Sequence, residues 1–540
     1  MSYLDKFTGD WNSAQARHLL RRTTFGPPQG AVEHSVQIGL DGTLDTLFSA
    51  GNVPDPPLKY HPDGSGSNAL DDPGAKQGET WVNADPFPNV NPPMLRNRII
   101  RARSKSLYAW TILQMHKAGI SIREKLILFW HNHFVITSVI PQREYIYHML
   151  LRSHALGNFR QLTKDITIDT GMLLYLSGAE NINAAPNENY SRELLELFTV
   201  GKGPLIGPGD YTNYTETDVI EIAKVLTGWR VPRVSDPDTL IASFDSRLHA
   251  NGDKHLSKHF ADAVIAENGE NEYKDIIDVI FQQDACSRFI MRKLYRWFVH
   301  SDLTPEVEQH IIEPLAQQVR ADEYDIAPAL RMLLSSAHFF QSTACMIKNP
   351  LDLLLSATRA LGTEPPKNGV QQEYEHAYDL YAMASELEQA MFNHPDVAGW
   401  KAYYQEPGLD RMWLNNLLLP KRHELCRAVV EGGTVTIDGD DYRIPAMVPV
   451  LELAAGIPGA ADISALVTGL AERMFNYPIS STQLTALKDI VLQGLPDYEW
   501  ADEYGAYLAD PANDALRVPV ENKLRSLLSV MMGMSEFQVM

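Results

Sequence analysis

From Pro186 to Gly201 the chain reads PNENYSRELLELFTVG. At about 100° per residue this places Tyr190, Leu194, Leu195, Leu197 and Phe198 on one side of a helix. Glu188, Asn189, Arg192, Glu193 and Glu196 fall on the other, with Asn187 as N-cap. The next stretch, TETDVIEIAKVLTGW, carries Val219, Ile222, Ala223, Leu226 and Trp229 on one stripe. It opens with Thr215 and Asp218 in capping-box positions. Similar periodicity predicts helix over about 94–156, 158–176, 187–200 and 215–229, and again through IIDVIFQQDACSRFIMRKLYRWFVH and IAPALRMLLSSAHFF. A short helix in NSAQARHLLRRTTFGPP is capped by Asn12 or Ser13 and stopped by Gly26 and two prolines.

Residues 51–93 and about 230–270 lack periodicity and are rich in turn formers, so they read as irregular surface segments. In TVTIDGDDYRIP, alternating Val435, Ile437, Tyr442 and Ile444 around Asp-Gly predict a hairpin near 434–445. The expected fold is mainly α: a multi-helix, bundle-like core with long irregular surface loops and a small β-hairpin decoration. Its expected parts are N-terminal helices (1–50), the irregular excursion (51–93), a central helical core (94–362) and a C-terminal helical region (363–540).

The 540 residues are 44% hydrophobic and 21% charged, which places the chain among folded proteins and away from disordered ones. A net charge of -21 argues against nucleic acid as a partner, because nucleic-acid binding needs a basic footprint. Arg98, Arg101 and Lys105 share one helical face, which reads as a solvated or salt-bridged surface or as an anion or partner site. Three scattered cysteines, Cys286, Cys345 and Cys426, suit buried free thiols better than a disulfide framework or a cysteine zinc site. No uncharged apolar run long enough to span a membrane occurs, and MSYLDKFTGDWN does not resemble a leader. The chain as given is therefore expected to be cytoplasmic, or exported if a leader has been removed.

LILFWHNHF places His131 and His133 inside an apolar run, about 200° apart on a helix, so an intact helix cannot aim both at one ion. Each reads either as a hydrogen-bonded core histidine or as a functional group. Glu188, Arg192 and Glu196 at i, i+4, i+8 read as an ion-pair ladder or as the polar wall of a cavity. Asp218 reads as a cap or as a ligand. His255 and His259 have helical metal spacing but lack the accompanying glutamate of the zinc-protease motif. No phosphate-cradling loop, nucleophile elbow or dinucleotide fingerprint occurs.

Taken in order, ARHLLRRTTFG, LILFWHNHF, LGNFRQL, MLLYLSG, NENYSRELLELFTVG, YTETDVIEIAKVLTGWR, KLYRWFV, HPDVAGW and SEFQ resemble the bacterial family called domain of unknown function 1800. The resemblance implies a mainly helical bacterial protein, often encoded beside a phosphatase- and sulfatase-like family that is a candidate partner. It carries no activity with it. In the family a His-Asp pair precedes Gly-x-Lys; here, in HANGDK, His249 and Lys254 match and Ala250 replaces the acid, which is lost or supplied by Asp253. Two functions follow as expectations. One is a metal-dependent hydrolase or oxidase using a divalent metal and a site between helices. Its metal ligands come from His131, His133, Glu193, Glu196, Asp218 and His249, with His18 a further candidate; Glu188 is acid/base and Arg192 orients an anionic group. The other is a non-enzymatic helical scaffold that binds a partner protein or a glycan. Under both, Glu193 is expected to be buried in one polar cluster with His131 or His133; the small-molecule or glycan substrate is left open.

Overall fold

The structure, a computed structural model, describes residues 3–62, 70–232, 240–343 and 345–540, so part of each irregular segment lies outside the described residues. It is mainly α, with four small two-stranded antiparallel sheets. One apolar cluster runs from Leu19 to Phe537. Among the described residues no helix is long and apolar enough to cross a membrane.

The first helices are α1 (Ser13–Thr23) and α2 (Ala31–Leu47). Asn12 caps α1, its side-chain oxygen accepting the Ala14 N–H at 2.8 Å. Two consecutive arginines of α1 are buried and bond to backbone carbonyls far along the chain. Arg21 donates to Arg473 O at 2.8 Å and to the Asn476 side chain at 2.6 Å. Arg22 donates to Val299 O at 3.1 Å and Ser342 O at 2.8 Å. The Arg473 and Val299 carbonyls lie at helix C-termini, where backbone acceptors lack intrahelical partners. The guanidiniums thus satisfy acceptors that burial would leave orphaned.

The run expected over 94–156 is three helices, α3 (Pro93–Lys117), α4 (Arg123–His133) and α5 (Pro141–Ser153). Pro141, at the first turn of α5, suits a helix start and not a continuation. α3 packs along the helix Val370–Glu386. α4 is buried from Glu124 to His133, so each of its polar side chains needs compensation. Glu124 accepts two hydrogen bonds from Arg152, at 2.6 and 2.8 Å, and Lys125 pairs with Asp352.

The next helices are α6 (Phe159–Thr167), α7 (Thr170–Tyr175), α8 (Glu188–Glu193), α9 (Glu216–Val225), α10 (Glu272–Ile280) and α11 (Asp284–Phe298). The helix expected over 187–200 is α8 followed by wider π turns over Leu194–Thr199. There the Thr199 hydroxyl donates to Leu194 O at 2.6 Å. Leu194, Phe198, Val219, Ile222 and Leu226 are buried between α8, its π extension and α9, while Leu197 is half-buried. The hairpin pairs Gly433–Ile437 with Asp440–Ile444. Asp438 and Gly439 both have positive φ, as a type I′ turn requires. Cys286 and Cys426 are buried free thiols, whereas Cys345 is half-buried.

Candidate functional site

The three polar residues ending α4 point to three different partners. His131 Nε2 accepts the Phe392 N–H at 2.9 Å, which puts the imidazole proton on Nδ1, where it has no acceptor. The Asn132 side-chain oxygen accepts the Trp400 N–H at 2.8 Å. His133 donates from Nε2 to Phe198 O at 3.0 Å and accepts at Nδ1 from Lys293 Nζ at 3.0 Å. Lys293 also donates to Leu197 O at 3.3 Å. His133 and Lys293 therefore serve two carbonyls of the π segment, where regular helical pairing is interrupted. Burial holds His131 at about 3, and burial plus the Lys293 charge hold His133 well below the usual imidazole value, so both rings are neutral. Burial brings the Lys293 amine down to about 7.

Phe392 and Asn393, at the start of the segment that His131 and Asn132 hold, 391–400, line an open cleft of about 640 Å³. Tyr108 from α3, Tyr175 from α7, Tyr381 from the helix Val370–Glu386, and Phe392 supply its aromatic walls. Thr137, Ser138 and Val139 from the α4–α5 loop, Arg143 from α5, Gly171 and Leu174 from α7, and Asn393 complete it. The rings are arranged with care: Tyr108 stacks on Phe392 at 5.2 Å and on Tyr381 at 4.8 Å between centroids. Gly171 lets α7 approach, since a Cβ there would lie 2.6 Å from Ile136 Cδ1. Asp169 caps α7, accepting the Gly171 and Met172 N–H groups at 2.8 and 3.1 Å. Burial raises Asp169 to about 6 against those bonds and the nearby Arg143 charge.

Behind the rings lies a group of unpaired polar atoms. Neither nitrogen of His148, one turn along α5 from Glu144, has a hydrogen-bond partner. The same holds for both nitrogens of His394 and for Trp400 Nε1. His394 sits 4.6 Å from the His131 ring and 4.2 Å from Trp400 between centroids. Burial pushes Glu144 well above the usual carboxylate range, outweighing the hydrogen bonds from the Ser138 backbone and the Tyr108 hydroxyl. A second cavity of about 420 Å³, lined by Asn393, His394, Trp400 and Trp413 among others, lies on the far side of the 391–400 segment.

The residues singled out from sequence are spread over several places. Arg192 donates to both oxygens of Glu216, at 2.9 and 2.7 Å, and to Glu188 at 3.1 Å. This half-exposed network ties α8 to α9. Glu196 accepts the Tyr214 hydroxyl at 3.0 Å. Glu193 is half-buried and takes part in neither histidine's hydrogen bonds, so the expected common cluster does not form. Its pKa is raised by burial, then by Glu196 and Asp396. The Asp218 carboxylate is filled by the Thr215 N–H and hydroxyl, at 2.7 and 2.8 Å, and by Ser257 N–H and hydroxyl, both at 2.7 Å.

His249 donates from Nε2 to Glu272 at 2.9 Å, and Lys254 donates to the other Glu272 oxygen at 2.6 Å. His18 donates to Phe339 O at 3.0 Å. As placed, these side chains do not share a centre, and among the described residues no group of three or more His, Cys, Asp or Glu is arranged to hold a metal ion. Glu144, His148, His394 and the tyrosines went unread in the sequence. The available signal was REYIYH, where a carboxylate and an imidazole stand at i, i+4 on one helical face.

A family model described as protein of unknown function (DUF1800) matches residues 18–539. No curated protein and no solved structure matches the chain.

Proposed function

Because the chain belongs to the family described as protein of unknown function (DUF1800), whose description carries no activity, we propose a function from the cleft itself: binding of a small polar organic molecule of saccharide character. The observation that carries this reading is the lining of the cleft, four aromatic rings with Thr137, Ser138, Arg143 and Asn393 around about 640 Å³. A pyranose has two apolar faces edged by hydroxyls, so it needs flat apolar partners and a few convergent polar groups. Ligand sites have that composition and that size. Tyr175 is half-buried and offers ring surface, whereas Tyr381 and Phe392 are buried and stacked against Tyr108. Glu144 is too enclosed to touch a ligand directly. It hydrogen-bonds the hydroxyl of Tyr108, a wall residue, from behind.

The Glu188, Arg192 and Glu216 network supports the scaffold side of the sequence reading, since it joins two helices and leaves the cleft to bind. A phosphatase- or sulfatase-like partner would suit a ligand bearing ester groups.

The test is calorimetric titration with maltotetraose, cellotetraose, chitotetraose and tetragalacturonate. One of these is expected to bind saturably, and Tyr175→Ala is expected to weaken it about five- to tenfold, the value of one aromatic contact, with an unchanged circular dichroism spectrum. Absence of binding to all four at millimolar concentration would overturn the reading, as would a Tyr175→Ala protein that binds like the wild type.

A further inference from the structure

A separate cavity of about 430 Å³ lies at the C-terminal end of α3, roughly 12 Å along that helix from Tyr108. Its walls include His116 and Lys117 of α3, Arg359 at the end of the helix Pro350–Arg359, the turn carrying Gly362, Thr363 and Lys367, and Glu373. Arg359 is 3% exposed, and of its five N–H bonds only Nη2 is engaged, with the Ala118 carbonyl. Nε and Nη1 have no acceptor. His116 Nε2 and the Nε2 of neighbouring His376, whose rings are 5.9 Å apart, are also unpaired.

The carboxylates nearby are committed elsewhere. Glu124, whose charge acts on Arg359, has both oxygens bound to Arg152. Glu373 pairs with Lys117, and Glu364 with Lys367, both at the rim. Bonding to Ala118 O accounts for a cation at a helix C-terminus but uses one donor. Burial brings the Arg359 pKa down only to about 10, so the guanidinium is charged at neutral pH. A buried charge with most of its donors unpaired is costly, and a planar guanidinium is well suited to an oxyanion.

We infer that this cavity is a binding site for the phosphate group of a small molecule, held by Arg359 with His116 beside it, with the Lys117–Glu373 and Lys367–Glu364 pairs at the entrance. The unpaired donors are covered in the empty arrangement, so binding includes a small rotation of the guanidinium toward the cavity. Water alone would satisfy them less well, because it brings no compensating charge.

Equilibrium dialysis of the full chain with radiolabelled inorganic phosphate, at fixed ionic strength in chloride, tests this. About one phosphate per chain is expected to bind saturably. Arg359→Gln should bind at least tenfold more weakly. Should that variant fail to fold, Lys367→Glu, an exposed change at the rim, should still weaken binding several-fold. Three results would overturn the proposal: no saturable phosphate binding by the wild type, wild-type affinity in a folded Arg359→Gln, or acetate competing as well as sulfate does.

Discussion

The backbone N–H of Trp400 donates to the side chain of Asn132 at 2.8 Å, across a sequence separation of 268 residues. Gly399 makes this approach possible. Its φ is +93°, and a Cβ there would lie 2.3 Å from Asn132 Oδ1 and 2.7 Å from Asn132 O. The glycine of HPDVAGW and the asparagine of HNH are thus two halves of one joint, which holds the far end of the segment whose start, Phe392 and Asn393, lines the cleft.

Gly399→Ala is therefore expected to destabilise the protein by about 2–4 kcal/mol, combining left-handed backbone strain with displacement of Asn132. Gly505→Ala is the contrasting change. That glycine is exposed within the helix Asp497–Ala509 and nothing would meet its Cβ, so the variant should gain about 0.5–1 kcal/mol. Urea midpoints of the two variants check both signs.

Glu144→Gln should stabilise the protein increasingly as pH rises. The native pKa of Glu144 lies above its unfolded value of about 4.3, so between those values folding requires an extra proton and wild-type stability falls with pH. Glutamine keeps the shape without the proton. The difference between variant and wild type should grow by up to about 1.4 kcal/mol per pH unit over that range. Urea unfolding at pH 5, 6 and 7 measures it, and a difference that stays flat would show that Glu144 is solvated.

Glu272→Gln should behave with the opposite sign. Burial alone would raise this carboxylate, but hydrogen bonds from Lys254, His249 and the Asn268 backbone outweigh it and hold the pKa below the usual range. Its contribution is fully present above about pH 4.3 and is lost as pH falls through the native value. At pH 7 the variant leaves Lys254 buried with half its partner, at a cost of about 3–5 kcal/mol. Thermal melts at pH 7 and pH 3.5 should show a gap that closes on acidification.

Much of the local architecture was legible in the chain. The Asp-Gly hairpin, the Thr215–Asp218 cap and the apolar faces of α8 and α9 follow from spacing alone. So did the divergence of His131 and His133, since i and i+2 cannot converge on an intact helix. What the residues diverge toward was not legible. Phe392, Phe198 and Lys293 are brought in from 65 to 261 residues away, and periodicity carries no information about such pairings. The wall residues hid for a related reason: Tyr108, Tyr381 and Phe392 stand where any helical core has aromatics, and only tertiary packing opens space beside them. The π turns after Glu193 were invisible because their stabilising partners, His133 and Lys293, lie on other helices.

The buried arginines of α1 bear on how the chain assembles during synthesis. Arg21 needs the carbonyl of Arg473 and the side chain of Asn476 before it can leave water at tolerable cost. Those groups are translated about 450 residues later, which at 5–20 residues per second means roughly 20–90 s. Until then α1 has nowhere to dock with its charges satisfied. α1 leaves the ribosome long before the segment that seats it, and during that interval its apolar face, with Leu19 and Leu20, is exposed to chaperones.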